Sequence, residues 1–243
     1  LYCVKSLQEL CNADVEGAEL GSLYLKYSPK KITAKNLNID IETAGSITLL
    51  LQALLLPAMF VSKPIKLTIT GGTNVSWSSS FEYFNNVLLP QLQRFAKIEA
   101  KLLKRGYYPK GNGKIEVKIA PKFKLNDNVN KYNLIEQHYL IQIKGISHAS
   151  KNLEDARVAE RQAHSAQRLL GKKFNVPTKI TSEYQDTLST GSGITLWAIF
   201  SKNKNDIDEN APIRIGADAL GEQGKRAEIV GEEAANNLIK EIE

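Results

Sequence analysis

Apolar and polar residues alternate with a period of two over 97–104 and again over 114–119. In the first stretch Ile98, Ala100 and Leu102 share one side while Lys97, Glu99 and Lys101 take the other. In the second, Ile115, Val117 and Ile119 oppose Lys114, Glu116 and Lys118. Successive side chains on a strand point to opposite faces, so the pattern predicts two strands with one core face and one charged face, joined by the turn RGYYPKGNG at 105–113. Helical spacing appears at about 1–12, through Leu7, Leu10 and Cys11, and at 81–94, through Phe81, Phe84, Val87, Leu88 and Leu92. Residues 46–61 are apolar nearly all round, which predicts a helix covered on most sides, with Gln52 as its one large polar side chain. Strands are expected at 36–42 and 64–70, and a strand pair about a Gly-Ser turn in VEGAELGSLYLKYSP.

The strands carry an internal echo. GSLYLKYSPK starts at Gly21 and GKIEVKIAPK at Gly113, a spacing of 92 residues, and each follows a helix and a strand. The inferred unit is βαβαββ, complete at about 36–122 and present as αββ at 1–30, so the chain is expected to begin inside a domain. The polar KFKLNDNVNKYN marks a boundary at 122–133. Beyond it the pattern predicts a strand at 133–145, a helix at 152–171, strands at 178–185, 193–201 and 212–218, and a helix at 226–242. This βαβββα order makes a second, smaller α/β domain of four strands and two helices, and the fold class is α+β with tandem βαβαββ repeats. DNVN and KNKNDIDEN are expected to be solvated loops.

With 243 residues, 42% hydrophobic and 24% charged, the chain fits a soluble globular protein of one large or two modest domains. No apolar run reaches the roughly 18 residues of a membrane span, because ITLLLQALLLPAMF is interrupted by Gln52 and Pro57. There is no leader pattern and the first residue is leucine, so a processed chain or a fragment is expected. Cys3 and Cys11 lie too far apart along one expected helix to bridge and have no metal-ligand spacing, which predicts a reduced, cytoplasmic protein without a structural zinc. Net charge is +6 and unevenly spread: residues 1–123 hold 16 Lys/Arg against 9 Asp/Glu, and residues 124–243 hold 16 against 17. A basic partner surface therefore belongs to the first half.

Several residues are candidates for chemistry. Ser46 is placed to cap helix 46–61 after Thr43, Ala44 and Gly45, leaving amides and a partial positive charge suited to phosphate. Gln52 lies six residues on, about 9 Å along the axis. It is either a core amide bonded to neighbouring backbone or a ligand contact. GGTNVSWSSS follows a strand directly and could cradle an anion, but it fits neither GxGxxG nor GxxxxGK[ST]. LSTGSG reads as turn glycines. Segment 94–124 carries ten Lys/Arg against Glu99 and Glu116, with Tyr107 and Tyr108 among them. A solvated sheet face explains part of that excess; the remaining charge, with aromatics at a turn, leaves contact with a nucleic-acid backbone as an equal alternative, with Arg105 and Lys110 as the first positions to test. His138, His148 and His164 lack a carboxylate or cysteine at catalytic spacing and are expected to be structural or solvent-facing, with His148 in a GISHAS loop.

GAELGSLYLKYSP, TAGSITLLLQALLLPA, GGTNVSWSSSFEYF, RGYYPKGNGKIEV, HAS with AERQA, YQDTLSTGSGITLWA and GADALGEQGK, in this order through nearly the whole chain, resemble the archaeal branch of the RNA 3′-terminal phosphate cyclase family. The hairpin is similar to that family's signature, RG-Y/F-YP-x-GGG, with Lys110 at the variable position and Asn112 in place of the middle glycine. The resemblance implies three βαβαββ repeats with a small inserted domain: a repeat domain at 1–122, the insert at 133–227, and residues 228–243 as a helix leading towards a further repeat. It implies a ligase-type activity, in which ATP adenylylates an enzyme histidine, AMP passes to the RNA 3′-phosphate, and the neighbouring 2′-hydroxyl displaces AMP to close a 2′,3′-cyclic phosphate. A divalent metal, Mg or Mn, is implied as an aid. Gln52 matches a glutamine that contacts ATP in the family, with Ser46 a weaker candidate beside it. The family's glycine-rich N-terminal segment and nucleophilic histidine have no counterpart here and are expected beyond the ends, so no catalytic or metal residue is assigned in this chain and it is expected to be inactive alone. Ser79 stands where family members often place a proline near the nucleotide. The implied partners are RNA 3′-phosphate ends and ATP, without a membrane. The alternative is a non-catalytic, cyclase-like protein that binds RNA or serves ribosome biogenesis.

Overall fold

A computed structural model describes residues 1–129, 131, 133–204 and 213–243. The expected polar loops DNVN and KNKNDIDEN, and the first residue of the strand expected at 212–218, lie partly outside the described residues. The chain opens with α1 (Tyr2–Cys11) and a short antiparallel pair, β1 (Asp14–Glu16) and β2 (Lys26–Ser28). This pair is shorter than the sequence suggests, and Leu20, Leu23, Tyr24 and Leu25 between its strands are exposed.

Six elements follow in the order βαβαββ: β3 (Leu37–Asp40), α2 (Ile47–Ala58), β4 (Ile65–Gly71), a helical segment, β5 (Ala96–Lys104) and β6 (Gly113–Pro121). The sheet order is β3-β4-β6-β5, with β3 parallel to β4 and the other pairs antiparallel. Register sets Leu67 opposite Val117 and Val117 opposite Ala100, so one face is apolar across the sheet. That face packs on α1, α2 and the helical segment, with Leu10, Leu51, Leu54, Leu67, Phe84, Ile115 and Ile119 fully buried. The opposite face carries the lysines and glutamates that the alternation predicted.

The helical segment is α3 (Phe81–Tyr83), a π-helical turn (Phe84–Leu88) and α4 (Leu89–Leu92). Pro90 has no N–H to return to the Asn86 carbonyl. Arg214 Nη1 donates to that carbonyl at 2.7 Å instead.

The second unit is β7 (Tyr139–Ser150), a short 3₁₀ turn, α5 (Val158–Lys173), β8 (Thr178–Gln185), β9 (Ser192–Ser201), β10 (Ile213–Leu220) and α6 (Ala227–Ile242), in sheet order β10-β9-β7-β8. Helices α5 and α6 cover one face through Leu170, Val230, Ala234 and Leu238. α6 is thus part of this unit's core. On the other face, Trp197 and Ile199 pack against Val87 of the π turn, so every residue of β9 is buried. A strand covered on both faces reads as the continuous apolar run GITLWAIF. β7 starts later than the expected 133–145 and continues through GISHAS, which is strand and not loop.

Candidate functional site

Four glycine-containing loops meet where the two sheets adjoin. Loop 43–46 is pinned to loop 71–74, since Gly72 N donates to Gly45 O at 2.8 Å and Ile47 N to Gly72 O at 2.9 Å. The 105–113 hairpin lies over both. Thr73 N donates to Gly106 O at 2.9 Å. At Gly111, with φ +61°, a Cβ would sit 2.7 Å from Ala44 Cα, so only glycine allows that approach. Asn112 is also left-handed, at φ 55°, a conformation asparagine tolerates better than most residues. Asparagine therefore suits the backbone that this turn requires at 112. On its far side the hairpin meets loop 187–191, where Lys110 N donates to Ser189 Oγ at 3.0 Å.

Beneath the hairpin lies a largely buried polar network that the sequence reading missed. Arg105 is 0% exposed and Glu82 2%. Arg105 Nη1 donates to Glu82 Oε1 at 2.7 Å and to Asn74 Oδ1 at 3.0 Å, while Nη2 bonds Glu183. Thr73 Oγ1 also donates to Asn74 Oδ1, at 2.7 Å. This fixes the amide so that Asn74 Nδ2 donates to Glu82 Oε2 at 2.7 Å and to His148 Nε2 at 3.1 Å. With Nε2 accepting, the ring proton sits on Nδ1 and is donated to the Tyr107 oxygen at 2.7 Å. Seven residues, drawn from both units, are thereby tied together.

The electrostatics follow from burial. Burial raises the Glu82 pKa, but Arg105, His148 and the Asn74 bond outweigh it and hold the carboxyl at about 2. Burial, reinforced by the Arg105 charge, pushes His148 down to about 3 against the opposing pull of Glu82. Burial raises the Tyr107 pKa. His148 is therefore neutral near pH 7 with both nitrogens bonded, and it has no lone pair or access for nucleophilic work. This network holds the hairpin in place.

Arg105 is a correction. It was expected as a phosphate contact, but no part of its side chain reaches solvent and its bonds go to Glu82, Asn74 and Glu183. The cause is a bulge: pairing shifts by one between Leu102↔Ile115 and Lys104↔Lys114, which leaves Leu103 exposed and, past Lys104, turns Arg105 inward. One signal was available, since Glu82 is the only carboxylate between Glu42 and Glu99. Lys110, in contrast, is exposed at the tip, beside Tyr108 at 75%.

At α2 the expected all-round cover is also corrected. Ile47, Leu50, Leu51 and Leu54 are buried, but Leu49, Gln52 and Leu56 form an open stripe. Gln52 is not a core amide, and no protein partner engages it among the described residues. Ser46 caps the helix, accepting from Leu49 N at 3.2 Å. The expected free amides are largely satisfied, because Ile47 N goes to Gly72 O, Leu49 N to the Ser46 hydroxyl and Leu50 N to Ser46 O. His164 is exposed on α5, and His138 precedes β7. Among the described residues no helix is long and apolar enough to cross a membrane, and no group of three or more His, Cys, Asp or Glu could hold a metal ion.

A family model described as RNA 3′-terminal phosphate cyclase matches residues 1–238. Proteins of that name from Pyrococcus abyssi, Archaeoglobus fulgidus and Saccharolobus islandicus are similar to the chain. The first is 43% identical over 244 residues, covering 100% of this chain and 66% of the relative. The second is 39% identical over 240 residues, covering 98% and 66%. The third is 42% identical over 246 residues, covering 100% and 67%. The chain thus spans about two thirds of the length of these curated relatives.

Proposed function

Because the chain belongs to the RNA 3′-terminal phosphate cyclase family, we propose that the full-length protein converts an RNA 3′-phosphate to a 2′,3′-cyclic phosphate at the expense of ATP, and that residues 1–122 and 133–242 act as a repeat domain and an insert within it. The observation that supports this most directly is the hairpin. Its base is locked through Arg105 and Tyr107 while its tip holds Tyr108 and Lys110 in solvent beside the start of α2. A fixed base with an exposed basic, aromatic tip suits a phosphate backbone approaching a nucleotide.

In this reading Lys110 neutralises an RNA phosphate and the Gln52 amide hydrogen-bonds the nucleotide, roles that the exposure of both side chains supports. Ser46 shapes the helix start, its hydroxyl being engaged as the cap. ATP, when bound, supplies the leaving group that lets the neighbouring 2′-hydroxyl close the ring. The described residues contain no ligand set for a divalent metal, so no step is assigned to one here. We place the protein in the cytoplasm, which fits two cysteines that are both free thiols. Incubating the full-length protein with a 3′-phosphorylated RNA and ATP should give ends that resist phosphatase. RNA binding without such ends would favour the non-catalytic reading.

Two variants probe the contacts. Gln52→Ala in the full-length protein should raise the ATP concentration needed for half-maximal rate while shifting stability by less than about 0.5 kcal/mol, as exposed positions do. A large loss of stability with unchanged ATP dependence would remove Gln52 from the site. Lys110→Gln should weaken RNA binding to a similar degree for every sequence and reduce the salt slope by about 0.7 for a lost single-strand phosphate contact. An unchanged slope would return Lys110 to a solvated tip.

A further inference from the structure

Trp77 is 99% exposed, and its backbone is left-handed at φ 61°. Both features are unfavourable for the largest side chain: a bulky residue at positive φ is an outlier, and an indole in water forgoes its apolar burial. No ring contact or hydrogen bond occupies it among the described residues. The loop that carries it is nevertheless held firmly. Thr73 ties it to the hairpin through the Gly106 N donation to Thr73 Oγ1 at 3.0 Å. Ser78 Oγ donates to Val75 O at 3.1 Å, and Ser80 N to Asp218 Oδ2 at 3.0 Å. Thr48 Oγ1 donates to Ser79 O at 2.7 Å, which fixes the loop against the first turn of α2. Gln52, four residues beyond Thr48, lies on that same side of the helix and is exposed. The loop that presents the unpartnered indole is therefore tied to the helix that bears the exposed amide, and its neck is bonded to the hairpin whose tip bears Tyr108 and Lys110.

We propose that Trp77 is a stacking platform for a base of the bound RNA, with Lys110 meeting the backbone phosphate. Every base offers a π face, so such a platform binds without reading sequence, and its rigidity lowers the ordering cost. This rests on the RNA-processing reading above, and it adds the surface that holds the strand. Oligonucleotide binding to a basic, aromatic-bearing edge accounts for both the exposure and the strained backbone.

The test uses the full-length protein, a short single-stranded RNA with a 3′-phosphate, and Trp77→Phe and Trp77→Ala variants. The difference in emission between wild type and Trp77→Phe isolates Trp77 from the buried Trp197. RNA should quench that difference signal. Trp77→Ala should weaken RNA binding about tenfold and Trp77→Phe much less, with the melting temperature unchanged in both. RNA bound equally well by Trp77→Ala would overturn the proposal while leaving the RNA reading intact. Quenching by ATP alone, with no added effect of RNA, would assign the platform to the adenine and overturn it too. Protection of Trp77 from acrylamide in the free protein would show that other parts of the full chain cover it, and would also sink the idea. Failure of the wild type to bind RNA at low salt would bring down both readings together.

Discussion

Arg105→Met is expected to destabilise the protein by about 3–5 kcal/mol, the range found when one member of a buried ion pair is removed. The guanidinium at 0% exposure is the main counter-charge of Glu82, itself 2% exposed and bonded otherwise only to Asn74, with His148 Nε2 at 3.7 Å. Without Arg105 the carboxylate must stay charged without a counter-ion, take up a proton, or draw one onto His148, and each course costs free energy. The double variant Glu82→Gln/Arg105→Met should recover much of the loss, because an amide leaves no buried charge. Urea unfolding of the two single variants and the double variant gives the coupling energy directly. Additive losses would show that the pair is not the origin of the effect. Lys110→Gln, five residues along the same hairpin, serves as the exposed control and should be near neutral for stability.

The contrast between Arg105 and Lys110 shows where sequence patterns stop being informative. Period-two alternation placed Ile98, Ala100 and Leu102 inward, and β5 agrees. The bulge at Leu103 arises from pairing with β6 and cannot be read from one strand's own pattern, and it turned a residue expected in solvent into the most buried charge among the described residues. GISHAS failed for a related reason: its small and polar residues resemble a loop, but β7 has a partner strand on each side, β8 and β9, both distant in sequence. Strand β9 was legible because cover on two faces leaves an apolar run. Gln52 was legible only as a polar residue in an apolar helix, and its exposure depended on which stripe of α2 the first core leaves open. The Asn74–Glu82–Arg105–His148 network joins residues of both units, and no spacing rule connects positions 74 and 148. What the motifs did convey was the family, since GGTN, RGYYPKGNG and STGSG are the loops that meet at the junction.

The same network should make the protein acid-sensitive in two stages. His148 titrates near 6.5 in the unfolded chain and near 3 when folded; Glu82 titrates near 4.5 unfolded and near 2 folded. Both folded values are depressed, so in each case the unfolded chain binds more protons as pH falls, and stability present above the unfolded pKa is lost on the way down to the folded one. Between pH 6.5 and 4.5 only His148 contributes, and stability should fall by about 1.4 kcal/mol per pH unit from this group. Below pH 4.5 Glu82 adds a second proton, and the slope should steepen. His148→Gln removes the first stage but keeps a hydrogen-bonding side chain, so its stability should run flatter from pH 6.5 to 4.5 whatever its level at neutral pH. Denaturant midpoints measured at half-unit intervals in wild type and variant decide the matter. A wild-type curve as flat as the variant's over that interval would mean that His148 takes up its proton inside the fold, and would contradict the neutral, doubly bonded imidazole on which the hairpin's anchoring is argued.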